Sequence, residues 1–420
     1  MRGAEVRAVG ELAGEALAGA GVLVRDVHAA VARRAFAAVG PSAAPARAMH
    51  DGIAAAVYGG VSAALAAAPR GAGAILAAKA AAAAAPRGGA LAESAVADAA
   101  PRGRALAAGA GFARSLADSP RGALALAVLN AYAGDALAAE GSPLALDMTL
   151  RHRGAELDPS TAAAGGRLAI FVHGLGETDL SWRFKATPKR PGYGAQLERD
   201  LGYTPLELRY NTGRHISANG RALAALLEET LAGAADEIVL VGHSMGGLVA
   251  RSACHYGHQA DHEWTEAVRH VVCLGSPHLG APLEKGINAL GWALGRVPET
   301  RPFARAVNAR SAGIKDLRYG ACIEEDWCDC DPDELLHDRC HDVPFLPGAH
   351  FSFIAATLRQ EPLGTIVGDL LVRVPSASGQ GRSRRIPFAE GRGRRLTGLT
   401  HLDLLNHPAV YEQLRAWLAQ

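Results

Sequence analysis

The apolar positions of the chain follow two regimes that meet near residue 140. Up to that point alanine dominates; it loses no side-chain entropy on entering a helix, so this segment predicts helices. Pro-Arg-Gly recurs at Pro69, Pro86, Pro101 and Pro120, and proline closely followed by glycine punctuates helices, so a string of short ones is expected. Their packing would rely on small residues rather than on a regular repeat, with an unstructured segment as the alternative.

Beyond residue 140 the period shortens. Leu144 to Arg151 alternates as a half-buried strand should, Arg167 to His173 is an apolar run ending at glycine, and Pro205 to Tyr210 predicts another strand. Arg221 to Leu231 has helical spacing, and Glu237 to Gly242 is continuously apolar after its first residue, as a strand buried on both faces requires. A helix from Ser244 to about Tyr256 and a strand from Val268 to Leu274 continue the rhythm. Strand alternating with helix predicts an α/β fold with a mostly parallel sheet. The rhythm fails from Pro282 to about Pro347, a stretch too long for an ordinary connection, and an inserted cap is expected at about 282–347. It returns with a strand at His350–Thr357 and a closing helix at Pro408–Leu418, separated by a Gly- and Arg-rich segment, Arg382 to Arg395, expected as an exposed loop. The chain therefore divides into an alanine-rich helical region, 1–140, and an α/β domain, 141–420.

Charge changes this picture little. With 43 basic and 42 acidic side chains the formal net charge is +1, so no nucleic-acid partner is expected. Glu5, Glu11, Glu15, Arg25 and Asp26 interrupt the first thirty residues where an export signal needs an unbroken apolar core. The run from Ala74 to Ala85 contains Lys79 and falls short of the roughly 20 residues of a membrane span, so no stable membrane insertion is expected. Six cysteines are too few for a disulfide scaffold. Reduced thiols and a cytoplasmic location are the expectation.

The candidate chemistry sits where a buried strand meets a helix. Gly242-His243-Ser244-Met245-Gly246 fits the Gly-x-Ser-x-Gly elbow, in which a sharp strand-to-helix turn presents a serine nucleophile. An acyl-transfer nucleophile needs two amide donors for the oxyanion. Met245, after the serine, and Leu175, in His173-Gly174-Leu175-Gly176 at the end of an earlier strand, are the candidates. In this chain order an acid and then a histidine must follow. Asp369, preceded by Gly368, is the acid, and Asp342 and the cluster Glu324, Glu325 and Asp326 are assigned to the cap surface. His401, just before the last helix, is the base in preference to His407, whose place before Pro408 suits helix entry. His243 is expected to point away from the nucleophile, and His173 to fix its loop. Cys322, Cys328, Cys330 and Cys340, with His337 and His341, lack zinc-knuckle spacing, so neither a metal nor an organic cofactor is expected. Cys254 and Cys273 are expected in the core.

Phe171-Val-His-Gly-Leu-Gly, Gly242-His-Ser-Met-Gly-Gly, Leu274-Gly-Ser-Pro-His-Leu-Gly-Ala-Pro282 and Thr400-His-Leu-Asp together resemble the lipase-like α/β-hydrolases. Bacterial triacylglycerol lipases and GPI inositol-deacylase-like esterases share this set. The resemblance runs from about Arg167 to Gln420. It implies cleavage of a small-molecule or lipid carboxylic ester under a cap, with Ser244, Asp369 and His401 as triad and Leu175 and Met245 as oxyanion donors. Those lipases usually place glycine after the acid, where this chain has Leu370. Competing readings are a thioesterase or acyltransferase on the same apparatus, or a non-catalytic binding scaffold.

Overall fold

Strand β5, Glu237–His243, shows why its sequence is continuously apolar. Ile238 and Leu240 enter one core, and Val239 and Val241 the other, because the sheet is covered on both sides. The preceding strand in the sheet, β3 (Arg167–Val172), divides likewise, Ile170 and Val172 to one face and Phe171 to the other. The computed structural model describes residues 3–39, scattered positions between 44 and 59, and residues 116–157, 166–358, 368–381 and 384–420. The expectations at Pro69, Pro86, Pro101 and residues 74–85 lie outside them.

The sheet has eight strands in the order β2-β1-β4-β3-β5-β6-β7-β8, the others being β1 (Thr149–His152), β2 (Ala155–Glu156), β4 (Tyr203–Arg209), β6 (Val268–Leu274), β7 (His350–Thr357) and β8 (Gly393–Thr397). From β4 to β8 every neighbouring pair is parallel, and β1 adds an antiparallel edge. Helices Ile216–Leu231 and Met245–Gln259 bury Leu223, Leu227, Leu248 and Val249 on one face. Tyr193–Leu201 and Pro408–Leu418 cover the other with Tyr193, Leu197, Leu414 and Trp417. Between β6 and β7 the chain leaves the sheet for an insertion carrying helices Pro282–Gly295, Arg301–Asn308 and Ala312–Asp316.

The chain forms two units, Met1–Gly122 and Ala123–Gln420. The first contains the helix Gly3–Val39, where the Glu5 carboxylate accepts the Leu116 amide at 3.0 Å. The helix Pro120–Ala139, which composition groups with the alanine-rich region, lies from Ala123 onward in the second unit. It is the one helix among the described residues apolar and long enough to cross a membrane. It buries Leu126, Asn130 and Leu137 within the fold and exposes Leu124, Val128 and Tyr132.

Two expected elements differ. The strand predicted at Leu144–Arg151 is confined to Thr149–His152. Buried Asn130 takes the Leu144 carbonyl at 2.8 Å and the Leu146 amide at 2.9 Å, removing both from any ladder. The segment Arg382–Arg395 is not all loop, since β8 begins at Gly393 and pairs with β7. As an edge strand with mostly exposed side chains it needs no apolar alternation, and so leaves no period in the sequence.

Candidate active site

Parallel strands deliver their carboxyl ends to one edge of the sheet, where β5 runs straight into Ser244 and the helix Met245–Gln259. Ser244 has φ 53° and ψ −123°, a conformation that costs a non-glycine residue about 1–3 kcal/mol. The turn closes because its flanks lack side chains. A Cβ on Gly246 would collide with the Val172 carbonyl, and one on Gly242 with the Gly247 backbone. The Ser244 amide donates to the Leu274 carbonyl at 2.8 Å, pinning the turn to β6.

Loops from three other strands meet this turn. After β7, Asp369 is buried with its Oδ1 accepting the amides of Leu371 at 3.0 Å and Val372 at 2.8 Å. Its Oδ2 lies 2.7 Å from Nδ1 of His401, which is 4% exposed on the turn after β8. His401 Nε2 is buried without a hydrogen-bond partner. Ser244 and His401 line one cavity of about 440 Å³. No hydrogen bond joins them in this structure, a separation common before substrate binds.

The loop after β3 supplies the remaining groups. The Gly174 amide donates to Glu177 Oε2 at 2.8 Å and the Gly176 amide to Thr212 Oγ1 at 3.3 Å. The Leu175 amide between them has no protein acceptor among the described residues, and Leu175 lines the cavity. Met245 is the first residue of its helix, so its amide has no intrahelical partner. A Cβ on Gly174 would come within 3.0 Å of the Ser244 Cβ, so the loop lies against the Ser244 turn.

The cavity is walled by apolar side chains from the insertion and neighbouring loops, among them Phe184, Leu283, Ile287, Leu317 and Leu371. Its two lining carboxylates are both engaged: Glu284 by Arg310 and Arg318, Glu177 by His243.

The expected geometry around other residues is mixed. His407 caps the last helix, its Nδ1 accepting the Ala409 amide at 3.2 Å. The His173 ring contacts its own loop at the Gly174 carbonyl, 3.0 Å away. Asp326 departs from the surface role expected of it: it is buried, and its carboxylate accepts the amides of Cys322 and His341, both at 2.8 Å. All six cysteines are free, with Cys254 and Cys273 buried. Among the described residues no cluster of three or more histidine, cysteine or acidic side chains is arranged to hold a metal ion. A second cavity of about 410 Å³, lined in part by His215, Cys328, Cys330 and Cys340, does not include Ser244 or His401.

The pairing of Glu177 with His243 is absent from the sequence reading. His243 is fully buried, with Nδ1 2.8 Å from Glu177 Oε1 and Nε2 3.1 Å from the His401 carbonyl. No period or motif links a loop glutamate to the residue before Ser244. Burial opposes charge on both partners, yet the ion pair wins: the His243 charge and the Gly174 amide bring the Glu177 carboxyl down to about 2, and Glu177 holds the imidazole above its usual value.

A family model for the PGAP1-like alpha/beta domain matches residues 211–328, a stretch containing the Ser244 elbow. The second unit has the α/β-hydrolase fold, an eight-stranded, mostly parallel sheet flanked by helices. The match covers less than a third of the 420 residues. Similar solved structures include the mature lipase BlEst2 of Bacillus licheniformis, at 18% identity over 65% of this chain and 98% of that one, with TM-score 0.41. A thermophilic esterase from Thermogutta terrifontis is 13% identical over 66% of this chain and 95% of its own, with TM-score 0.35. Lipase B of Aspergillus fumigatus is 11% identical over 65% and 56% respectively, with TM-score 0.39. No curated protein sequence matches this chain.

Proposed function

We propose that the protein hydrolyses carboxylic esters with an apolar acyl group through an acyl-enzyme on Ser244. His401 takes the Ser244 proton as Oγ attacks the ester carbonyl, and Asp369 orients the imidazole and balances its charge. The amides of Leu175 and Met245 hold the oxyanion. His401 returns the proton to the leaving alcohol, and water then clears the acyl group by the same route. The insertion at about 282–347 acts as a cap. The observation that carries the reading is one cavity bounded by a strained serine and a histidine already held by a buried aspartate.

Apolar walls and fully paired carboxylates argue for a neutral, hydrophobic acyl chain. Hydrolysis of p-nitrophenyl esters from short to long acyl chains, beside Ser244→Ala on folded protein, tests this. Turnover that requires Ser244 and rises with chain length is expected. Turnover that survives Ser244→Ala overturns the mechanism. Serine-dependent cleavage of thioesters but of no ester moves the protein to a different acyl substrate.

A further inference from the structure

His243 has two ring nitrogens and two acceptors. Nδ1 faces the Glu177 carboxylate at 2.8 Å and Nε2 faces the His401 carbonyl at 3.1 Å. An ionised carboxylate and a carbonyl both only accept, so with Glu177 charged each nitrogen carries a proton. A neutral tautomer would leave one of these fully buried contacts with no hydrogen between two lone pairs, a loss comparable to an unmade buried hydrogen bond. The geometry thus requires a cation inside the protein, and Glu177 supplies the counter-charge.

Both ends of this pair reach the site proposed above. Glu177 also accepts the Gly174 amide at 2.8 Å, next to the Leu175 donor. The His401 main chain is held from two sides, its carbonyl by His243 and its amide by the Asp369 carbonyl at 3.2 Å. The residue before the nucleophile therefore ties the oxyanion loop to the loop of the base.

We propose that His243 is a positioning residue, a buried imidazolium that with Glu177 fixes the Leu175 loop and the His401 loop to one another across the Ser244 turn. This rests on the assignment of Ser244 and His401 as nucleophile and base. The His401 ring also faces His243, with ring centroids 4.7 Å apart. The other groups facing His243 are Glu177 on the loop after β3, Asp369 on the loop after β7, and the edge of Trp182. His173, which adjoins Glu177, is driven toward its neutral form by burial, and Asp179 beside Trp182 is taken by Arg209 at 2.6 Å. When His401 becomes charged during acyl transfer, two cations then face two carboxylates, each with its own partner.

The test is kcat and KM for an ester in His243→Gln, together with ¹⁵N-histidine NMR of the unaltered protein. Glutamine keeps a donor but removes the charge. In the variant kcat should fall at least tenfold with KM changing little. An unchanged kcat in a folded variant overturns the proposal. So does a His243 signal at pH 7 with only one protonated nitrogen, a reading that does not depend on the variant folding. If Ser244→Ala retains turnover while His243 is doubly protonated, the catalytic assignment fails and the buried cation stands.

Discussion

Asp369 and His401 are joined twice, side chain to side chain at 2.7 Å and His401 amide to Asp369 carbonyl at 3.2 Å. With its proton on Nδ1, the neutral ring leaves Nε2 as the acceptor, the form a general base requires. Asp369→Asn would offer a donor in place of the acceptor and favour the wrong tautomer, so kcat should fall by about 10⁴-fold with the fold intact. His407→Ala removes only a helix cap, at about 1 kcal/mol, and should retain turnover. Paired ester kinetics and urea denaturation separate the two; a His407 variant as inactive as the Asp369 one would reassign the base.

Leu370 takes a φ of 87° directly after the acid. Where the lipases it resembles place glycine, this chain accepts a strained leucine that is 66% exposed and packs little. Leu370→Gly should keep full activity and raise stability by about 0.5 kcal/mol, strain relief exceeding the added freedom of the unfolded chain. Loss of stability in urea denaturation would show that the side chain contributes more than its exposure suggests.

Glu284 anchors the insertion by meeting Arg310 at 2.6 Å and Arg318 at 3.2 Å, all three side chains being at most 8% exposed. Glu284→Ala leaves two guanidinium groups buried without their carboxylate, so a loss of about 3–5 kcal/mol is expected. The denaturation midpoint should drop, and proteolysis should begin within residues 282–347. A change below about 1 kcal/mol would mean that solvent reaches these arginines readily.

The pair of Glu177 and His243 also sets a pH window for stability. Glu177 is lowered from 4.5 to about 2, so its contribution is present above 4.5 and lost as pH falls toward 2. His243 is raised above 6.5, so its contribution is complete below 6.5 and lost as pH rises through the folded value. The two overlap from about 4.5 to 6.5. The stability difference between the unaltered protein and Glu177→Gln/His243→Gln should therefore peak near pH 5 to 6 and narrow on both sides. A difference that grows steadily toward alkaline pH would contradict the assigned charges.

Much of the α/β unit was legible because period and burial coincide there. Ile238 to Val241 is a two-sided strand in pattern and in structure, and Pro408–Leu418 matches its predicted bounds. The elbow was legible because glycine at 242 and 246 is forced by backbone contact, which leaves a mark in residue type. What escaped depends on contacts between distant residues. Asn130 truncates a strand that alternates correctly, β8 is an exposed edge, and Glu177 meets His243 across two loops that carry no common motif. Asp326 was read from its acidic neighbours, whereas its burial follows from amides supplied by its own turn and by His341.

The helix Pro120–Ala139 lies wholly on the alanine-rich side of the compositional seam near residue 140. Leu124 belongs to the wall of the Ser244 cavity, Asn130 shapes the entry to β1, and Gly134 lies so close to the Asn211 side chain that a Cβ there would collide with it. Anyone dividing the gene at the seam would discard that helix with the alanine-rich leader, leaving a recombinant fragment with an open-sided cavity. A fragment that keeps this wall of the cavity has to include the helix Pro120–Ala139.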